Sequence, residues 1–477
     1  MFFYTIYFWG VALTTVLSQN VSVPWEYFCT RTGHSSTVID DAIYVFGGVR
    51  DLPYSRAEQW YDSALAKISL SKSWDYILDD SVITALGSHS VSDGPPPFLM
   101  YSTITYDSNG GIYIEGGARA IFNTTSNVST THPMPIGSPA ENASWSLSKT
   151  DRFWKPLMRT ITESSLFRTQ ILYTQAPDQN LIFYLNGILS NGSNERVYPK
   201  MTIINTRTNS SRTVSTEIIS PSGVRVGAAF QYLPLLGQKG GLVLLGGATR
   251  HDEIITTDPW GTMESLGTIH VFDIASLDDT PNGVWYQQPT GGRTPVSRLS
   301  TCAVNILSPD RTSYHIYLAC GRSPAQILHD VWILSLPQFQ WTQVFTGTRP
   351  SYGATCQLVG KKQMLMLGGT EASSSSCDRK DQVWVWDLTN LKWIRSYEKD
   401  DDDFRIPKAV WERIGGSAMG ESNMTEPEDG FSSIGLAKMF DKMAGYKEER
   451  SEGSQAERLT ILAVVIWVFC ISYFLIL

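Results

Sequence analysis

The sequence predicts an all-β fold in which six copies of a four-stranded antiparallel sheet are stacked radially. Three observations lead there. A short apolar run closed by two glycines, or a near substitute, recurs along the chain. A tryptophan trails a later strand in most copies. Glycine (38), tyrosine (21) and tryptophan (15) are plentiful in the 477 residues, and such residues serve turns and fill pleated surfaces.

The run stands clearly at Ile43–Gly48, Ile112–Gly117, Leu242–Gly247 and Met364–Gly369, and in degenerate form at Ile182–Gly187 and Ile316–Gly321. Each is too short for an ordinary helix and is bounded by turn residues, so it reads as a buried strand. A first strand precedes it, as at His34–Val38 and Cys356–Val359, across turns such as Asp40-Asp41 and Gly360–Lys362. A third strand and a tryptophan on a fourth follow: Ile68–Leu70 with Trp74, Trp145–Leu147 with Trp154, His270–Ile274 with Trp285, Val331–Leu334 with Trp341 and Val383–Leu388 with Trp393. The third copy has Met201–Ile204 but no tryptophan, and is the least regular. Units that cannot bury both faces alone stack around an axis, which gives a β-propeller. Trp25–Phe28 is placed to add a strand to the last unit, and Phe122–Ser144 is the largest glycosylatable insertion.

Glycine pair, aromatic third strand and spaced tryptophan together resemble the kelch repeat over about residues 29–397, and more narrowly the secreted or membrane-tethered single propellers of fungi. The resemblance implies a six-bladed kelch-type propeller that binds ligands on its loop-bearing face, as kelch propellers similar to it bind acidic peptides.

The ends predict a secretory route. Residues 1–18 read as a signal peptide, 19–397 as the propeller, 398–458 as a low-order acidic and polar stalk, and 459–477 as an apolar tail. That tail is long enough to span about 28 Å as a helix. It serves either as a transmembrane helix or as a glycolipid (GPI) attachment signal, with Ser451 as the candidate attachment residue. Sequons at Asn20, Asn123, Asn127, Asn142, Asn191, Asn209 and Asn423 point the same way, to a cell surface or another extracytoplasmic membrane face. Cys29, Cys302, Cys356 and Cys377 are disulfide candidates, with Cys356 or Cys377 expected to clasp Cys29. Cys320 reads as an unpaired core residue.

A net charge of −8 argues against nucleic acid as a partner. The metalloprotease, nucleophile-elbow, P-loop and dinucleotide motifs are missing, and the histidines have no ligand-like spacing. No catalytic residue, metal or cofactor is therefore assigned, and His270 and His315 read as core residues. Arginines recur before the first strands, at Arg31, Arg168, Arg225, Arg298 and Arg349, and after the glycine pairs, at Arg50, Arg119, Arg250 and Arg322. Both positions fall on one face of a propeller and predict either a cationic mouth for a protein or glycan ligand, acidic in the sharpest version, or arginines that each tie their own loop by pairing with a carboxylate such as Asp51 or Glu371 or by capping carbonyls. The alternative is an enzyme or biosynthetic-pathway accessory protein, an oxidase-like or isomerase-like propeller with a metal in its channel.

Overall fold

The computed structural model describes residues 31–443 except 51–64, 76–81, 87–98, 124–127, 134–143, 149–153, 157–167, 191–194, 222, 252–260, 348–350, 371–382 and 442. The signal segment, Trp25–Phe28, Cys29, Cys377, Ser451 and the apolar tail lie outside the described residues. No helix among the described residues is long and apolar enough to cross a membrane.

Among the described residues, six four-stranded antiparallel meanders follow one another. Sheet 1 is Arg31–Ile39, Ala42–Arg50, Leu65–Ser69 and Ile83–Leu86. Sheet 2 is Thr103–Tyr106, Ile112–Glu115, Ser144–Leu147 and Lys155–Pro156, and sheet 3 is Leu172–Ala176, Leu181–Leu185, Lys200–Asn205 and Ser210–Ser215. Sheet 4 comprises Ala229–Leu233, Gly241–Leu245, Thr268–Asp273 and Val284–Pro289, and sheet 5 Cys302–Leu307, Tyr314–Ala319, Asp330–Leu336 and Gln340–Thr346. Tyr352–Val359, Gln363–Thr370, Val383–Asp387 and Lys392–Ile394 complete sheet 6. The third sheet, expected to be irregular, is a full meander. Sheet 6 likewise has four strands among the described residues.

Apolar faces are buried between neighbouring sheets, as radial stacking requires. Ile43, Val45 and Ile68 meet Leu365, Leu367 and Val385 between the first and sixth sheets. Val243, Leu245 and Val271 meet Ile316, Leu318 and Leu334 between the fourth and fifth. The innermost strands touch in order, and the first returns to the sixth. Between sheets 2 and 3 the link is polar: Gln175 Nε2 donates to Tyr106 O at 2.9 Å, and the Tyr184 hydroxyl donates to the buried Glu115 carboxylate.

Two expectations need correcting. Trp74 is not on the outer strand of sheet 1. It lies in a two-residue strand, Trp74–Asp75, paired with Ser396–Tyr397, and its ring packs 5.4 Å from that of Tyr397. The outer strand is Ile83–Leu86, so Trp74 fastens the first sheet to the chain leaving the sixth. Residues 398–443 are also not a low-order stalk; they form a strap over the hairpin ends of sheets 4, 5 and 6.

The strap begins where the charge run is neutralised. Buried Lys362 reaches Asp401 at 3.0 Å and Asp387 at 4.0 Å, and Gln363 Nε2 donates to Glu398 O at 2.7 Å. Phe404, Ile406 and the helix Lys408–Ile414 then bury against sheets 5 and 6. Asp310, in a hairpin of sheet 5, accepts a backbone hydrogen bond from Glu421 at 2.6 Å. A last helical segment, from 434, places Leu436, Met439 and Phe440 against Phe339 and Leu236, and Gly237 N donates to Met439 O at 2.7 Å.

Phe440→Ala should therefore destabilise the whole propeller by about 3–5 kcal/mol in denaturant unfolding, whereas removing a residue from a true stalk would leave the midpoint unmoved.

Candidate functional site

The glycine device has the same backbone in all six sheets. Both of its residues have positive φ, including Asn186 (59°) and Cys320 (56°), which replace the first glycine in sheets 3 and 5. The first position accepts a side chain because short polar residues enter the left-handed region at modest cost. The second is glycine throughout. At Gly247, with φ 82°, a Cβ would stand 2.6 Å from Val226 O.

Four of the recurring arginines serve this device. Arg31 Nε donates to Gly47 O (2.7 Å), Arg168 Nη1 to Asn186 O (2.6 Å), Arg225 Nη1 to Gly246 O (2.9 Å) and Arg298 Nη1 to Cys320 O (3.0 Å). All four side chains are at most 2% exposed. Arg298 also holds Asp330 through two hydrogen bonds of 2.6 and 3.0 Å, and Arg225 lies 3.5 Å from Glu264. The carbonyls at this position join neighbouring sheets. Gly117 N donates to Arg168 O, Gly247 N to Arg298 O and Gly321 N to Ser351 O, at 2.8–2.9 Å. The expected cationic mouth is thus largely an internal collar. Arg250 is buried too, and the side chains of Arg50 and Arg119 and all of Arg349 lie outside what is described.

A second ring, not foreseen from the sequence, lies two residues further along each inner strand. Gly33, Tyr101, Gln170, Gly227, Ser300 and Gly353 all have φ between 51° and 73°. Adjacent members bond around the mouth: Tyr101 N to Gly33 O (2.7 Å), Ser300 N to Gly227 O (2.8 Å) and Gly353 N to Ser300 O (2.9 Å). The spacing Arg-x-Gly at 31–33 and 225–227 was its one trace in the sequence. Tyr101 is the bulky member, held in a conformation that disfavours large side chains, yet it remains 42% exposed. Burial of its lower part, with Tyr352 nearby, raises its phenol pKa. The guanidinium of half-buried Arg322 stands 5.5 Å over the Tyr352 ring.

Inside the rings is a cavity of about 620 Å³ with residues from all six inner strands in its wall. Every described residue lining it is uncharged. Cys302 and Cys356 form a disulfide in this wall, between sheets 5 and 6. Cys356 therefore does not clasp Cys29, because its neighbour on the adjoining inner strand already occupies it. Cys320 is buried and free, its thiol pushed up to about 12 by burial and by Asp330.

His34, His270 and His315 behave as core residues. His315 sits between the Ser313 and Ser335 hydroxyls, and burial lowers its pKa to about 4. Burial, with Arg225 adding repulsion, takes His270 to about 4; burial and Arg31 take His34 to about 3. Among the described residues no three His, Cys, Asp or Glu side chains gather as a metal ion would require. Of the sequons, Asn209 sits exposed in a hairpin turn and Asn423 is exposed on the strap, while Asn123 ends the strand Ala118–Asn123. Asn20, Asn127, Asn142 and Asn191 lie outside the described residues.

No family model matches the chain. A kelch repeat-containing protein of Arthroderma benhamiae is 24% identical over 464 residues, covering 84% of this chain and 65% of that protein. The chain thus spans just under two thirds of that relative's length. The solved structure of YjhT superposes with a TM-score of 0.48 at 12% identity, over 76% of this chain and 97% of that one. The kelch resemblance read from the repeats accordingly recurs in a relative matched along most of the chain.

Two outcomes follow from the collar. Gly247→Ala should cost about 1–3 kcal/mol in chemical denaturation, while Gly246→Asn, at the position where Asn186 already stands, should cost much less. Arg298→Met should cost about 3–5 kcal/mol at neutral pH by stranding Asp330. Burial opposes ionisation of Asp330, but the hydrogen bonds and charge of Arg298, with Trp332 Nε1, hold its pKa below the usual value. In the parent this contribution is present above the unfolded carboxylate pKa and is lost as pH falls below about 4. The gap between parent and Arg298→Met should therefore narrow in melts taken from pH 7 down to pH 3.

Proposed function

We propose that the chain is an extracellular, membrane-tethered, six-bladed kelch-type propeller that binds a protein or glycan ligand at its loop-bearing face. The observation that carries this reading is Tyr101. An aromatic ring kept partly exposed at the mouth, on a backbone that favours glycine, is a costly arrangement that packing alone does not require. With Tyr352 and Arg322 beside it, the mouth offers aromatic surface and a guanidinium, the residue types that anchor protein and saccharide ligands. The contacting group is then smaller than the nine arginines of the sequence pattern, because four of those are committed to the collar.

The strap supports the same polarity. Its described residues cover hairpin ends on the side opposite the loop face. Exposed Asn209 and Asn423 suit an extracytoplasmic address.

A photo-cross-linking residue in place of Tyr101, in the chain displayed on its native cell surface, should capture a discrete protein or glycan. The same residue at Lys361, on the hairpin side, should not. Capture from Lys361 alone would sink the loop-face assignment.

A further inference from the structure

We propose that the central cavity is a second binding site, distinct from the loop face, for an uncharged polyhydroxylated molecule of about mono- to disaccharide size. Its volume, about 620 Å³, lies within the range of small-molecule pockets. The chemistry of its wall selects the class.

Three amide side chains in the wall have their nitrogens committed. Gln175 Nε2 donates to Tyr106 O at 2.9 Å, Gln357 Nε2 to Ser36 O at 2.9 Å, and Asn305 Nδ2 to Gln231 Oε1 at 3.0 Å. Each nitrogen has to face its acceptor, so the amide oxygen is the branch left to the cavity. The Tyr173 hydroxyl is turned the same way, donating to Ser36 O at 3.3 Å. The amide donors in the wall are thus committed to tying neighbouring strands, which leaves the amide oxygens as acceptors beside the Thr37 and Thr174 hydroxyls, groups that both donate and accept. A ligand rich in hydroxyl donors satisfies them.

Charge is excluded by the same wall. Among the described residues it contains no cation to receive a carboxylate or phosphate and no carboxylate to receive an ammonium. An ion brought into it would lose hydration without compensation. The four buried arginines that could have served an anion are directed instead to the carbonyls of the glycine device.

The test uses the full chain, free of sugar-based detergents, in calorimetric titrations with maltose, cellobiose and chitobiose. At least one should bind saturably, and glucuronate and glucosamine should each bind at least tenfold more weakly than it does. Thr37→Val with Thr174→Val removes two cavity hydroxyls while preserving shape, and should weaken binding several-fold with the melting temperature nearly unchanged. Thr174→Trp, which fills the cavity, should abolish it. Absence of saturable binding by all three sugars, equal binding of the charged probes, or indifference to both variants would overturn the proposal. The Tyr101 cross-linking result is independent of each of these outcomes.

Discussion

The hydrogen bond from a buried guanidinium to the first carbonyl of a glycine pair is the contact on which the rest of this propeller depends. The pair turns the second strand away from its sheet, and two successive residues at positive φ expose a carbonyl that no strand partner can reach. In sheets 1, 3, 4 and 5 an arginine from the start of the same sheet satisfies it. That arginine's own carbonyl accepts from the preceding sheet's second glycine at Arg168 and Arg298. One residue therefore closes its own sheet and joins it to its neighbour. Burying a guanidinium is expensive unless its donors are used, and here carbonyls, Asp330 and Glu264 use most of them, with Arg225 Nε left unpaired.

The collar divides the molecule into two unlike faces. Two residues further along the inner strands than the arginines lie the second left-handed ring and Tyr101. Toward the hairpins the inner strands frame an uncharged cavity, and the strap crosses the outer hairpin ends of three sheets. Cross-ties between inner strands vary in chemistry from one junction to the next: an amide at sheets 2 and 3, an amide pair at 4 and 5, a disulfide at 5 and 6, and Gln357 with Thr355 against Ser36 at 6 and 1. The geometry they hold is common, so the residue types are free to differ.

Much of the fold was legible because a strand's alternation and a glycine's conformational range are local properties. The six runs, their partners and Trp285, Trp341 and Trp393 fell where the pattern put them. The strap was not legible, since Phe404, Ile406, Leu436 and Phe440 have no shared period; each answers to a different hairpin far away in sequence. Trp74 misled for a related reason. Its spacing matched the other tryptophans, but its partner, Tyr397, is more than three hundred residues distant.

The sequence by itself determined the repeat, the all-β class and the recurrence of arginine before five of the first strands and after four of the glycine pairs, because these are local features a few residues in range. Only the tertiary structure decided what the arginines do. A row of cations in the sequence carries no information on the direction of its side chains, and folding turned four of them inward to carbonyls, leaving Tyr101 with Tyr352 and Arg322 at the mouth and an uncharged wall inside.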